Sequence, residues 1–153
     1  MRTIKFRGKK VTNGVWAYGS LVYLDENGAA IYVQTDNGSV KVMDLVYVHP
    51  DTVCQFTGLL DKNGKEIYEG DVLRSDEYPY SCIGDKERDN YFGLIEWNEN
   101  EAAFYIVTIK NPKSSVKGIS DGISDYISQS ALQDFEVIGN IYDDEWKQFR
   151  EHL

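Results

Sequence analysis

Trp16-Ala-Tyr-Gly-Ser-Leu-Val-Tyr-Leu24, preceded by Asn13-Gly14 and followed by Asn27-Gly28, sets the fold class. Trp16, Tyr18, Ser20, Val22 and Leu24 alternate with Ala17, Gly19, Leu21 and Tyr23, a β-rich run with apolar groups on both faces. Asn-Gly is the strongest short hairpin signal, because both residues tolerate positive φ in a type I′ turn. Ile31-Tyr-Val33, Val40-Lys-Val-Met43 and Leu45-Val-Tyr-Val48 follow at strand length, with Asn37-Gly38 and Asn63-Gly64 as further turns. Four such signals in the first 64 residues predict an antiparallel β-meander or barrel.

Further strands are expected at residues 53–57, 71–74, 91–98, 102–110 and 135–142, with Asn98-Glu-Asn-Glu101 as a hairpin tip. Residues 75–90, polar and containing Pro79, read as a surface loop, as do residues 111–125. The second loop holds a short tandem repeat, Gly118-Ile-Ser-Asp121 and Gly122-Ile-Ser-Asp125. Ile119, Ile123 and Ile127 are spaced at i, i+4 and i+8, which predicts a short amphipathic helix near 123–133. Asp143-Asp144-Glu145 suits the positive end of a helix dipole, and Trp146, Phe149 and Leu153 then form one apolar stripe. The expected fold is mainly β. It is an antiparallel small barrel or two packed β-subdomains, with a short C-terminal helix. Residues 1–153 read as one domain, with a possible subdivision near 75–90.

Composition narrows the function classes. The chain has 153 residues, 42% hydrophobic and 13% aromatic, which excludes a disordered polar tail. No run approaches the ~20 apolar residues of a membrane helix. Two cysteines, Cys54 and Cys82, exclude a disulfide scaffold and are expected to be free thiols. The N-terminus lacks the apolar run of a secretory signal, so the protein is expected in the cytoplasm. Net charge is -9, unevenly spread. Residues 1–50 carry six Lys/Arg and four Asp/Glu; residues 51–153 carry ten and twenty-one.

His49 and His152 have no partners at ligand spacing, and the cysteines form no Cys-x-x-Cys, so no zinc is expected. Asp85, Glu87, Asp89, Gly93 and Glu96 fit part of a calcium loop, but Asn90 stands where the sharp turn needs glycine. That window reads as a solvated loop. No nucleophile, zinc-protease or phosphate-loop motif is present. Glu66, Glu69 and Asp71 could supply carboxylates for acid–base work, but they read better as turn and surface groups. The expectation is no enzyme, no metal and no cofactor. Lys5, Phe6, Arg7, Lys9, Lys10, Trp16 and Tyr18 bring cations and aromatic rings together near the N-terminus, the combination that binds single-stranded nucleic acid. The acidic remainder allows the opposite reading, imitation of DNA toward a basic protein.

Thr52-Val-Cys-Gln-Phe-Thr-Gly-Leu59 followed by Asp61-Lys-Asn-Gly-Lys-Glu-Ile-Tyr-Glu-Gly-Asp-Val72 resembles the signature of the YopX family, small proteins of phages and prophages of Gram-positive hosts. Ile4-Lys-Phe-Arg7 resembles that family's first strand. Gly93-Leu-Ile-Glu-Trp97 with Phe104 resembles a later hairpin, and Phe135-Glu-Val-Ile-Gly-Asn-Ile-Tyr142 its C-terminal block. Asp143 departs from the Asn-Pro turn usual after that block, and the loops at 75–90 and 111–125 look particular to this chain. The resemblance implies a mostly-β fold and a phage or prophage origin; it supplies no activity and no catalytic residues.

Turn chemistry accounts for much of the motif. Asp61-Lys-Asn-Gly-Lys makes one turn and Glu69-Gly70-Asp71 a second. What remains reads as a surface site around Gln55, Thr57, Lys62, Glu66, Tyr68 and Asp71, a polar rim with a tyrosine anchor for a partner. The functional expectation is a non-enzymatic phage accessory protein acting by binding. A protein–protein module, homo-oligomeric or engaging a host protein, comes first. A single-strand nucleic-acid binder using the N-terminus comes second, and a carboxylate-dependent enzyme third.

Overall fold

The computed structural model describes residues 3–25, 28–36, 41–75, 91–109 and 124–147. The chain divides into two compact units, Met1–Gly58 and Leu59–Leu153. The expected subdivision near 75–90 falls largely outside the described residues.

The first unit holds β1 (Phe6–Lys9), β2 (Trp16–Asp25), β3 (Gly28–Asp36), β4 (Lys41–Val48), a 3-10 turn at Pro50–Thr52, and β5 (Cys54–Leu60). Their order in the sheet is β4-β3-β2-β1-β5, antiparallel throughout. The Asn13-Gly14 turn forms as expected: Gly14 has φ 69° and Lys10 N donates to Val15 O at 2.9 Å. Asn27 and Asn37-Gly38 lie outside the described residues, yet the strands flanking them pair as hairpin arms. Residues 40–43 and 45–48 were two expected runs; β4 is one strand through Asp44.

Strand alternation sends Ala17, Ala29, Ile31 and Val48 to one face, where Phe6, Leu21, Val33, Val46 and Val53 pack against them. The sheet coils around this core. A Cβ on Gly19 would lie 2.1 Å from Tyr32 O, so only glycine lets β3 pass so close to β2. The coil brings the end of β1 back to β4. Lys10 bridges Val48, Val11 N donates to Tyr47 O, and His49 N donates to Lys9 O. Closure goes no further than this bridge, so the expected small barrel is replaced by an open, curled sheet.

In the second unit the end of β5 lies beside β6 (Glu66–Tyr68). β7 (Asp71–Ser75), β8 (Tyr91–Asn98), β9 (Ala103–Ile109), β10 (Ser124–Tyr126) and β11 (Glu136–Asn140) form an antiparallel sheet of order β10-β9-β8-β7-β11. Leu73, Ile95, Phe104 and Ile106 face Ile67, Leu132 and Phe135. On the opposite face Val72, Phe92 and Leu94 meet Ile141 and Trp146. Cover on both faces explains why Phe92, Gly93, Leu94 and Ile95 are buried in succession.

Two helical expectations are corrected. The helix near 123–133 is absent: residues 124–126 form β10, and turns follow at 129–134. Only single bonds of helical type occur there, Leu132 N to Ser128 O and Phe135 N to Leu132 O. The Gln129 side chain instead brackets the Leu60 backbone, accepting from its N–H and donating to its C=O. Of the expected C-terminal helix, the described residues form a 3-10 turn at 144–147, which docks Trp146 into the core. Phe149 and Leu153 lie outside the described residues. Among the described residues no helix is long and apolar enough to cross a membrane.

Candidate functional site

The long central motif turns out to be scaffolding. Asp61 is 5% exposed. Its Oδ1 accepts Asn63 N and Lys65 N at 2.8 Å each, which builds the turn. Its Oδ2 accepts Val137 N at 3.0 Å, which ties that turn to β11. Asp71, 1% exposed, accepts Tyr68 N at 2.8 Å and the Asn140 amide at 3.2 Å. Gly70, at φ 73°, donates to Ile95 O and accepts from Ile141 N. The central motif and the C-terminal block therefore hold each other through buried carboxylates and backbone groups.

This placement bears on the six expected partner residues. Tyr68 is 1% exposed with its hydroxyl donating to Glu66 Oε2, so neither it nor Asp71 can anchor a surface contact. Burial of the tyrosine is the physical reason this part of the surface reading is dropped. Lys62 is exposed and lies 3.4 Å from Glu136, which also pairs with Arg74 at 2.5 Å. Glu66 is half-buried. Gln55 and Thr57, also half-buried, belong to the first unit.

The N-terminal set is brought together. Lys5, Arg7 and Lys9 alternate onto the face of β1 turned away from the core. Arg7 stands opposite Tyr18 and Lys9 opposite Trp16. The Arg7 guanidinium and the Lys9 ammonium lie 4.4 and 5.2 Å from the centre of the Trp16 ring, and Lys5 lies 5.0 Å from that of Phe56. Arg7 is buried and Phe6 packs in the core, so these two support the face from within.

The same outer face continues across the sheet, which the sequence reading missed. Register places Tyr32 opposite Ser20, Leu45 opposite Tyr32, Met43 opposite Gln34 and Tyr47 opposite Ala30. Tyr18, Tyr32, Met43, Leu45 and Tyr47 are 40–56% exposed on this face. Asp25 lies there too, at the hairpin end. The alternation of β2, β3 and β4 was visible in the sequence, but which face met the core was not.

The second unit has a shallow hollow of about 470 Å³ lined by Glu96, Asn98, Glu99, Tyr105 and Val107. Beside it the Tyr105 and Tyr126 hydroxyls both donate to Glu101 Oε2, and their rings lie 4.5 Å apart. These bonds hold the Glu101 carboxyl below the usual range. Burial first, and the bond to Glu101 second, push the Tyr105 phenol up. The Tyr105 phenol is thus committed as a donor. Among the described residues no three His, Cys, Asp or Glu side chains are grouped to hold a metal.

The family model described as YopX protein matches residues 5–145. The crystal structure of protein EF1440 from Enterococcus faecalis resembles this chain with a TM-score of 0.54 and 18% identity, covering 95% of this chain and 97% of that one. No curated protein matches the sequence.

Proposed function

The chain belongs to the YopX family, and from that premise we propose a non-catalytic accessory protein of a phage or prophage that acts by binding inside the bacterial host cell. The observation that carries this reading is the outer face of the first unit. Five large apolar side chains stand together there, each at least 40% exposed, beside a row of cations. Scattered exposed apolar residues are ordinary on any surface; a contiguous patch rich in tyrosine, with methionine, marks an interaction surface. A site around Glu66, Glu69 and Asp71 is less well supported, since Asp71 is buried and spent on backbone and amide donors.

The test is capture from host lysate by tagged protein, comparing the wild type with a Tyr32→Ser/Leu45→Ser variant that keeps its thermal midpoint. Ligands bound through this face are lost in the variant. Retention of every wild-type ligand by the folded variant would overturn the reading. A native mass at a whole multiple of 17.5 kDa, lost in the same variant, would mark the face as a self-assembly surface.

A further inference from the structure

The three exposed tyrosines of this face are not randomly placed. Tyr18 lies on β2, two residues before Ser20, and Ser20 is opposite Tyr32 of β3. Tyr32 is opposite Leu45, and Tyr47 lies two residues beyond Leu45 on β4. Each step from Tyr18 to Tyr32 to Tyr47 therefore moves one strand across and one residue pair along. Continued backward, the same step reaches Lys9 of β1, because Tyr18 is opposite Arg7 and Lys9 lies one pair further. The result is a diagonal, Lys9–Tyr18–Tyr32–Tyr47, that crosses four strands on one face. Diagonal neighbours in an antiparallel pair stand about 7–8 Å apart, well beyond the ~3.4 Å spacing of stacked bases in a duplex strand.

The geometry points to single-stranded nucleic acid as the occupant of this face, with bases stacked on Tyr18, Tyr32 and Tyr47 and phosphates met at the Lys5–Lys9 edge. This inference rests on the reading of the face as a binding surface and names what covers it. Charge favours an anionic ligand. The face carries the half-buried Lys5 and Lys9, with the buried Arg7 between them, against Asp25. Residues 1–58 hold six Lys/Arg and five Asp/Glu, a net +1, whereas residues 59–153 hold ten and twenty, a net -10. The surplus acid of this protein is thus confined to the other unit. Stacking rings spaced wider than a duplex step, next to cations already held by Trp16 and Phe56, suit an extended strand and not a duplex. Met43 and Leu45 flank the diagonal and offer apolar contact to base or sugar.

The experiment is fluorescence anisotropy with a labelled mixed-sequence DNA strand of about 16 nucleotides and with the same sequence as a duplex. The single strand should bind more tightly than the duplex. Tyr18→Ser, Tyr32→Ser and Tyr47→Ser should each weaken binding at least about fivefold. Tyr23→Ser, 74% exposed but on the other face of β2, should leave it unchanged. Log affinity should fall with log salt at a slope of about -2, for three phosphates neutralised. Thermal midpoints confirm that each variant folds, since the substituted rings are exposed. Absence of binding at low salt overturns the inference, as does a duplex bound equally well or affinity indifferent to all three tyrosines. A nuclease-resistant protein, or a second copy of the chain, captured through the same residues in place of the oligonucleotide also overturns it. In that case the face still binds, and only the nature of its occupant is wrong.

Discussion

Asp61 satisfies three backbone N–H groups with one side chain, two within its own turn and one on β11, 76 positions away. Asp61→Ala removes the acceptor of all three donors, Val137 N being the most shielded, so stability should fall by about 1–3 kcal/mol in a urea titration. An unchanged midpoint would show that water replaces the carboxylate at no cost. Half of this role was legible: Asp followed by Asn-Gly announces a side-chain-capped turn. The bond to Val137 was not, because a long-range partner leaves no local mark. Glu101 makes the complementary case. Its pKa is lowered by two phenol donors, Tyr105 first. The stabilisation it contributes is present above its unfolded pKa and is lost as pH falls through the depressed folded value. Tyr126→Phe removes one donor, so an NMR titration should show the Glu101 pKa move up toward the ordinary carboxylate range. A pKa that stays in place would mean Tyr105 alone sets it.

The strands were the most legible elements, and β8 appears at the limits expected for it. Asn-Gly turns and apolar alternation are local signals, and in an antiparallel meander the partner strand is the next one along. The helix near 123–133 was over-read because its described residues form an irregular segment that feeds single side chains into a core. Ile127 and Leu132 do so beside β9. Acidic residues 143–145 likewise suggested a full helix, where a 3-10 turn suffices to seat Trp146. That seat depends on Gly139 of β11. A Cβ there would lie 2.5 Å from Trp146 Nε1. Gly139→Ala should therefore push the indole out of its contact with Phe92 and cost about 1–3 kcal/mol, read by urea denaturation with tryptophan fluorescence as the local report. Full stability in this variant would show that the 144–147 turn can shift without loss. The same reasoning explains why the burial of Tyr68 was not legible. Tyr68 lies in a motif dense with charge, Lys65, Glu66, Glu69 and Asp71, which looks like surface until β7 and β11 enclose it.

Charge acts on the chain as a whole in two opposed ways, and salt separates them. Twenty Asp/Glu against ten Lys/Arg in residues 59–153 repel one another in the folded state more than in the expanded one. Raising NaCl from about 0.01 to 1 M shortens the screening length from about 30 to about 3 Å. The repulsion is then relieved, and the thermal midpoint should rise. The ion pairs work against this, since Lys62–Glu136, Arg74–Glu136 and Lys147–Asp144 weaken under the same screening. All are at least partly exposed, and such pairs contribute little, so the net repulsion should win. A midpoint that falls with salt would reverse that ranking and make the Glu136 cluster a principal support of the second unit. The proposed binding of a nucleic-acid strand to the first unit would have the opposite dependence, because it would gain from counterion release. A protein that grows more stable with salt while its affinity for the strand declines would separate the two effects in one titration. Loss of binding could not then be ascribed to unfolding.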